Sequence, residues 1–385
     1  MKIKYLLSIL ALCCAFLASP FASANTGDGL TDETEATKDV DQSTDEIVKK
    51  VLAEMPKISG YLQTGYNWGD KNGDNRSSFQ MKRMRLFIDK KISPMFDVRA
   101  QFEVFSGSTD SSPYKKKVMT VMDAFVTAHL HKSVHVRGGQ FYLPLGFENY
   151  DISPATLEVV DFSNINLRMV CRNAINYPFV DYGRDIGLLA YGDLFENKDK
   201  GFSYLTYDVS LTNGYLPTLN DDNKSKDFAG RLTFRPIGKL RLMGSYGYSE
   251  AQGLNQNKTP EKYLQMHRFI TGAWYFDPNG LTLRGEYGYM RSKDAGIKET
   301  GAYVLAGYKV DKFLPVVRWE MFRDKMNEAA VMNKDNFLVG CTYEAHKNFK
   351  FQFTYIHSIY PDEVKDTKVV DGSGNSIQIM CMAKF

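Results

Sequence analysis

Arg83 and Arg85 stand two apart with Met84 between them, and the same spacing governs charge elsewhere: Asp97 and Arg99, Arg284 and Glu286, Arg318 and Glu320. Ionic groups at i and i+2 with apolar residues between them share one face of an extended strand. By that parity Arg83, Arg85, Arg99, Arg231, Arg235, Arg241, Arg284 and Arg318 share a face, and Arg137 and Lys384 join them if no bulge intervenes. Asp89, Asp97, Glu103, Asp123, Asp185, Asp208, Asp227, Glu286, Glu320 and Glu344 oppose them on the same side. Around a water-filled space, such an array would set up a transverse field that orients dipolar solutes and sorts ions. The plainer alternative is that neighbouring charges neutralise one another along a wall.

Bond-making chemistry has little to start from. His129, His131 and His135 cluster, but alternation and a tight turn separate them, and no Ser or Cys nucleophile with a suitable neighbour stands out. No CxxC or HExxH occurs, so neither a metal nor a cofactor is expected and the chain does not read as an enzyme. Asn257-Lys258-Thr259 matches a glycosylation sequon and reads as coincidence.

The elements that would position these charges are strands. In FDVRAQFEV, Phe96, Val98, Ala100, Phe102 and Val104 alternate with Asp97, Arg99, Gln101 and Glu103. From Lys57 onward the period-two pattern recurs in about 16 segments of roughly 10 residues, the length that a tilted membrane strand needs. Negative mean hydropathy is compatible with this, since a barrel strand is apolar only at alternate positions. Ser93-Pro94, His131-Lys132-Ser133, Pro236-Ile237-Gly238, Asp277 to Gly280, Asp311-Lys312 and His346-Lys347-Asn348 read as tight turns, and longer polar loops lie between them. That alternation describes an all-β transmembrane antiparallel barrel with short periplasmic turns and long extracellular loops. Tyr246, Tyr248, Tyr287, Tyr289, Trp68, Trp274 and Trp319 are assigned to the outer face, where strand-end aromatics form interfacial girdles.

One connection is unlike the rest. Pro144 to Arg184, between VHVRGGQF and RDIGLLAYGDL, is too long for an ordinary strand connection, and loops of that length are usually functional. It is expected to fold inward as the third extracellular loop and to constrict the channel. It carries Glu148, Asp151, Glu158, Asp161 and Asp181 against Arg168, Arg172 and Arg184, and Arg168 and Arg172 are the cations expected at the constriction itself.

The chain opens with Lys2 and Lys4, an apolar run from Tyr5 to Leu17, and Ala22-Ser23-Ala24, which reads as a secretory signal over residues 1–24. A lipoprotein anchor at Cys13 or Cys14 is disfavoured by Leu12 and Cys13 as preceding residues. Cys171, Cys341 and Cys381 are left, an odd set with no framework spacing, so disulfides are not expected to hold the fold. Residues 25–56 form an acidic leader, in which Ile47, Val48, Val51, Leu52 and Met55 recur at helical spacing and predict a short amphipathic helix. The net charge of +3 therefore conceals a basic segment after Pro56, which would favour anionic solutes if its charges line a cavity. No apolar run reaches about 18 residues beyond the signal, so no membrane helix is expected.

FQMKRMRLFIDKKI, VMDAFVTAHL followed by VRGGQFYLPLGFEN, GRDIGLLAYGDL, YDVSLTNG, DFAGRLTFRPIG and the terminal Phe385 together resemble the phosphate-selective porin O and P family. The likeness covers nearly everything after Pro56. What it implies is a 16-stranded homotrimeric outer-membrane porin whose N-terminus is periplasmic, whose third loop folds inward and whose lumen carries arginines that guide anions. The acidic residues of the long loop depart from the strongly basic constriction of the most anion-selective members. The expectation is therefore a general pore for small hydrophilic solutes and ions with a mild anion preference, with lipid and a second and third copy as partners and no nucleic acid. A structural or adhesive barrel without an open channel is the alternative, and strand count separates the two.

Overall fold

A computed structural model describes residues 54–71, 74–106, 118–170, 183–214, 225–254, 260–293, 296–326, 333–365 and 368–385. Pro56–Phe385 form one compact unit. The signal segment and nearly all of the acidic leader lie outside the described residues, as do Arg172 and Asp181.

Each period-two segment of the sequence is a strand: β1 (Lys57–Lys71), β2 (Asp74–Lys91), β3 (Phe96–Ser106), β4 (Val118–His131), β5 (Val134–Tyr142), β6 (Arg184–Asn197), β7 (Phe202–Thr212) and β8 (Asp227–Ile237). The second half continues as β9 (Leu240–Leu254), β10 (Pro260–Phe276), β11 (Leu281–Ser292), β12 (Ile297–Tyr308), β13 (Phe313–Met326), β14 (Lys334–His346), β15 (Phe349–Lys365) and β16 (Lys368–Lys384). Every strand pairs antiparallel with its chain neighbours, and β1 pairs with β16, so the sheet closes into a barrel of 16 strands with no free edge. The Phe385 N–H donates to the Gly60 carbonyl and the Gly60 N–H to the Phe385 carbonyl, clasping the ends of the barrel. A Cβ at Gly60 would stand 2.5 Å from the Phe385 ring, so only glycine leaves space for the terminal aromatic there.

Alternation is visible strand by strand. Along β11, Leu281, Leu283 and Tyr287 are exposed while Thr282, Arg284, Glu286 and Met290 are buried. Val304, Val317, Trp319, Val339, Phe351, Phe353 and Ile379 continue the exposed apolar face around the second half. An apolar exterior over a charged interior is what a wall between lipid and water requires. The tight turns are held by local side chains: Ser93 Oγ accepts from the Met95 and Phe96 N–H groups, and Asp277 Oδ1 from that of Asn279.

Two local departures matter below. Gln63 pairs with Arg83 and Thr64 with Met81, so Lys82 is an extra, bulged residue of β2. Trp274 does not belong to the outer girdle: it stands between Arg241 and Arg284 in register and its ring packs against Phe147. It shares parity with Arg268 and Ile270, and two guanidinium groups face its indole, at 4.9 Å for Arg241 and 5.5 Å for Arg284. Cation–π contact on the inner wall takes precedence here over the interfacial preference of tryptophan.

Candidate pore and its long loop

The connection between β5 and β6 begins with a bracket. Leu143 N–H donates to the Gly183 carbonyl at 2.9 Å, and Asn149 Nδ2 donates to the Leu143 carbonyl at 2.8 Å, so both ends of the loop are held together. Gly146 (φ 72°) then turns the chain into a four-residue helix, α1 (Phe147–Tyr150). Glu286 of β11 supplies the acceptors that this helix start lacks, taking the Phe147 N–H at 2.5 Å and the Glu148 N–H at 3.3 Å.

From there the loop is fastened residue by residue to inward-parity side chains. Tyr150 donates to Asp208 of β7 at 2.9 Å, and Asp151 pairs with Arg231 of β8. Glu158 accepts both terminal nitrogens of Arg284 in β11 at 2.8 and 2.9 Å. The Leu157 carbonyl takes Lys350 Nζ and Gln352 Nε2 of β15, and the Glu158 carbonyl takes Thr342 Oγ1 of β14. Asp161 pairs with Lys82 at 2.6 Å and accepts from Gln378 of β16 at 2.6 Å, while its backbone carbonyl accepts from Arg318 of β13 at 2.9 Å. Asn164 donates twice to Glu320, and a π-helical turn (Ile165–Val170) brings Arg168 within 3.6 Å of Asp324.

Apolar contacts run in parallel. Leu143, Leu145, Phe147, Ile165, Met169 and Val170 form one buried cluster with inward residues such as Met243, Ile270, Met290 and Leu305. Ile152, Leu157 and Val159 form a second with Val316 and Leu338. Ile270, Met290, Leu305 and Leu338 are apolar at positions whose parity is otherwise charged, the one sequence signal that marks where a segment must cover the inner wall.

Electrostatics follow from these contacts. Burial opposes the charge of Asp161, but Lys82 and Arg83 beside it outweigh burial and hold the carboxyl below the ordinary carboxylate range. Glu158 is likewise lowered, burial being overcome by Arg284. Burial, reinforced by Asp208, raises the Tyr150 hydroxyl well above its usual value.

The arginines fall into two groups. Arg85 pairs with Glu103 at 2.9 Å, Arg231 with Asp151, Arg284 with Glu158, and Arg318 sits 3.7 Å from Glu320 and 3.8 Å from Glu148; all four are buried. Arg83 lies between Gln63 and Asp161, and Arg99, 42 % exposed, pairs with Asp89 at 2.6 Å. Arg137 is different, lying over the rings of Phe125 at 4.0 Å and Tyr191 at 5.2 Å. Among the described residues, no carboxylate forms an ion pair with Arg137, Arg235 or Arg241. Sequence does not single out Lys82 or Lys350, and names Arg184 only among the cations of the long loop: Lys82 turns inward only because β2 bulges, and Arg184 reaches Asp123 at 2.5 Å on β4.

The model of the family described as Phosphate-selective porin O and P matches residues 58–186, the stretch from β1 through the long loop to the start of β6. Over that stretch the chain is similar to the porin O and P family. No curated protein sequence matches it. Among solved structures, the porin barrel resembles an anion-selective porin from Comamonas acidovorans at a TM-score of 0.62 and 13% identity, covering 86% of this chain and 99% of that one. The outer membrane channel DcaP of Acinetobacter baumannii matches at 0.58 and 10% identity, covering 86% and 97%. A trimer form of OmpT from Vibrio cholerae matches at 0.55 and 10% identity, covering 86% and 99%. At such identities the likeness establishes the closed porin barrel and nothing finer.

Proposed function

We propose that this porin lets small hydrophilic solutes and ions diffuse passively across the bacterial outer membrane with a mild anion preference, and that residues 143–170 of the long loop fold into the lumen to set its width. The observation that carries the reading is a closed ring of 16 strands with charges on its inner parity and apolar residues on its outer one. Roughly 16 to 18 strands leave an aqueous channel, where about 8 would be filled by side chains. Support for the inward loop is its set of partners: β7 and β8 on one side, β13 to β16 and β2 on the other, all through inward-parity side chains. A loop lying outside the ring could not reach both arcs.

Anion preference rests on Arg137, Arg235 and Arg241, with which no carboxylate forms an ion pair among the described residues, and on Arg83 and Arg99, which remain partly exposed beside theirs. Arg231, Arg284 and Arg318 serve the loop, and Arg85 is held by Glu103 on the wall. Lys57 and Phe385 lie at the barrel end that bears the tight turns, since Lys57 pairs with Asp89 just before the β2–β3 turn and Phe385 with Gly60. If those turns are periplasmic, so is the leader. A homotrimer fits the trimer form recorded for the Vibrio cholerae relative.

Single-channel recording of the purified protein in planar bilayers tests the reading. Stable conductance steps with a reversal potential on the anion side of zero are expected. A barrel that inserts without steps would instead be the structural or adhesive protein.

A further inference from the structure

We propose that the outer wall of β8 to β12 binds a phosphorylated, acylated sugar lipid of the outer leaflet, with a phosphate on Arg291 and Lys298 and a fatty chain in the groove below them. The placement rests on the porin reading, which puts the long-loop end of the barrel outside. Arg291 of β11 and Lys298 of β12 are direct cross-strand partners, both exposed and both on the outward parity. His267 of β10 precedes them in the same register row, and Lys325 of β13 follows. Like charges set directly opposite each other on neighbouring strands repel, and an anion between them turns that repulsion into attraction. Among the described residues, no carboxylate forms an ion pair with Arg291 or Lys298. Glu250, an outward carboxylate on β9, already accepts the Tyr248 hydroxyl at 2.6 Å.

The height of the row on the barrel identifies the anion. Leu281 faces Tyr308 near the tight turns, and Arg291 faces Lys298 further along the same two strands. The roughly 10 residues between these rows, on strands tilted by about 40°, rise about 26 Å along the barrel axis, the height of the apolar band of such a barrel. Between the rows, Leu283, Tyr287 and Val304 are exposed on the outer face. Tyr289, one outward position before Arg291, belongs to the aromatic girdle, and so does Tyr246, whose hydroxyl shares a hydrogen bond with His267 Nδ1 at 2.9 Å. The two cations therefore stand just beyond the girdle, at the level of lipid headgroups, where a guanidinium fork matches paired phosphate oxygens.

The groove fits the rest of the lipid. Gly230 and Gly244 present no side chain on this face, and a Cβ on Gly244 would meet nothing within 4 Å. Between Leu232, Tyr246, Phe269 and Tyr287 they leave an apolar depression of about 700 Å³. It begins one outward position below His267, at Phe269, and two below Arg291, at Tyr287. A fatty chain lying there is held by close packing, since the surrounding hydrocarbon is no less apolar than the groove. Preference for this lipid over a neutral one then comes from the cations.

Titration of the purified protein in detergent with diphosphoryl lipid A, read by native mass spectrometry, tests the site. Binding to the folded barrel is expected, weakened about tenfold or more in the Arg291→Gln, Lys298→Gln double variant, the effect of losing a charge-assisted hydrogen bond. Lys347→Gln, which removes an exposed cation from the opposite tight turn, should bind like the unmodified protein. Gly244→Phe should bind more weakly, because its ring occupies the floor of the groove. Folding of each variant is verified by its mobility on unheated gels, and conductance should not change in the double variant, whose altered residues face away from the lumen. Equal affinity in the double variant or in Gly244→Phe overturns the proposal, as does equal affinity of the unmodified protein for dephosphorylated lipid A. Missing channel steps in a protein that passes these binding tests would count against the pore alone.

Discussion

Arginine on the inner wall of this barrel is held in two separate ways, and its partner decides which. Arg284 is fully buried against Glu158 and the Tyr303 hydroxyl, so its charge is already spent on a carboxylate that belongs to the loop. Arg137 and Arg241 are laid on aromatic faces instead, which positions a guanidinium without cancelling it. Replacing Arg137 or Arg241 by Gln should therefore lower the anion-to-cation permeability ratio, by up to about fivefold at low salt if a passing ion comes within a few ångströms of the group. Reversal potentials across a salt gradient measure this, and Arg85→Gln, which removes a buried and paired charge, should move them least among folded variants. None of this sorting could be made in advance. Parity places an arginine on a face, but its carboxylate can lie more than a hundred positions away, as Glu158 does from Arg284.

The loop anchors carry a pH signature at the same scale. Asp161 and Glu158 are both held below their ordinary values in the folded protein. Their contribution is thus complete above the ordinary carboxylate range of about 4 and is lost as pH falls through the depressed folded values. Channel steps should stay constant from pH 8 down to about pH 4 and become noisy only well below it, as pH reaches the depressed folded values and the anchors are neutralised. Asp161→Asn or Glu158→Gln should bring that noise to neutral pH. A transition centred near pH 6.5 would instead assign the change to histidine.

At the scale of elements, the strands were legible and the loop only in outline. Every strand carries its own period-two record, and each tight turn its own Ser, Asp, Asn or Gly. The loop has no such period, because its conformation is written in the side chains of β11, β13 and β15 that receive it. Its base shows how narrow the tolerance is. Gly183 has φ of 69°, and a Cβ there would stand 2.1 Å from Asn149 Oδ1. Gly183→Ala should strain the backbone by about 1–3 kcal/mol and dislodge the Asn149 bracket, so that the loop loosens while the barrel survives. Faster proteolysis within residues 143–183, with unchanged β content by circular dichroism, is the expected result; an equally resistant loop would show that the bracket is dispensable. Trp274 illustrates the converse limit, since an indole reads as a membrane-interface residue until the cations flanking it in register are known.

For the whole molecule, closure is what converts local alternation into a transport property. A sheet with free edges could display the same charges without separating two compartments, whereas β1 pairing with β16 makes the inner face an enclosed surface and the outer face a lipid seal. Two quantities then answer to different physics. In the proposed reading width answers to the loop anchors, of which Arg231, Arg284 and Arg318 are buried, and preference to charges that face the aqueous space and are screened over about 10 Å at 0.1 M salt and about 3 Å at 1 M. Raising salt across that range should therefore bring the permeability ratio toward unity while leaving intact the size cut-off for neutral sugars, as read by liposome swelling. A cut-off that widened together with the loss of selectivity would mean that the anchors are solvent-screened contacts and that loop and field are one device.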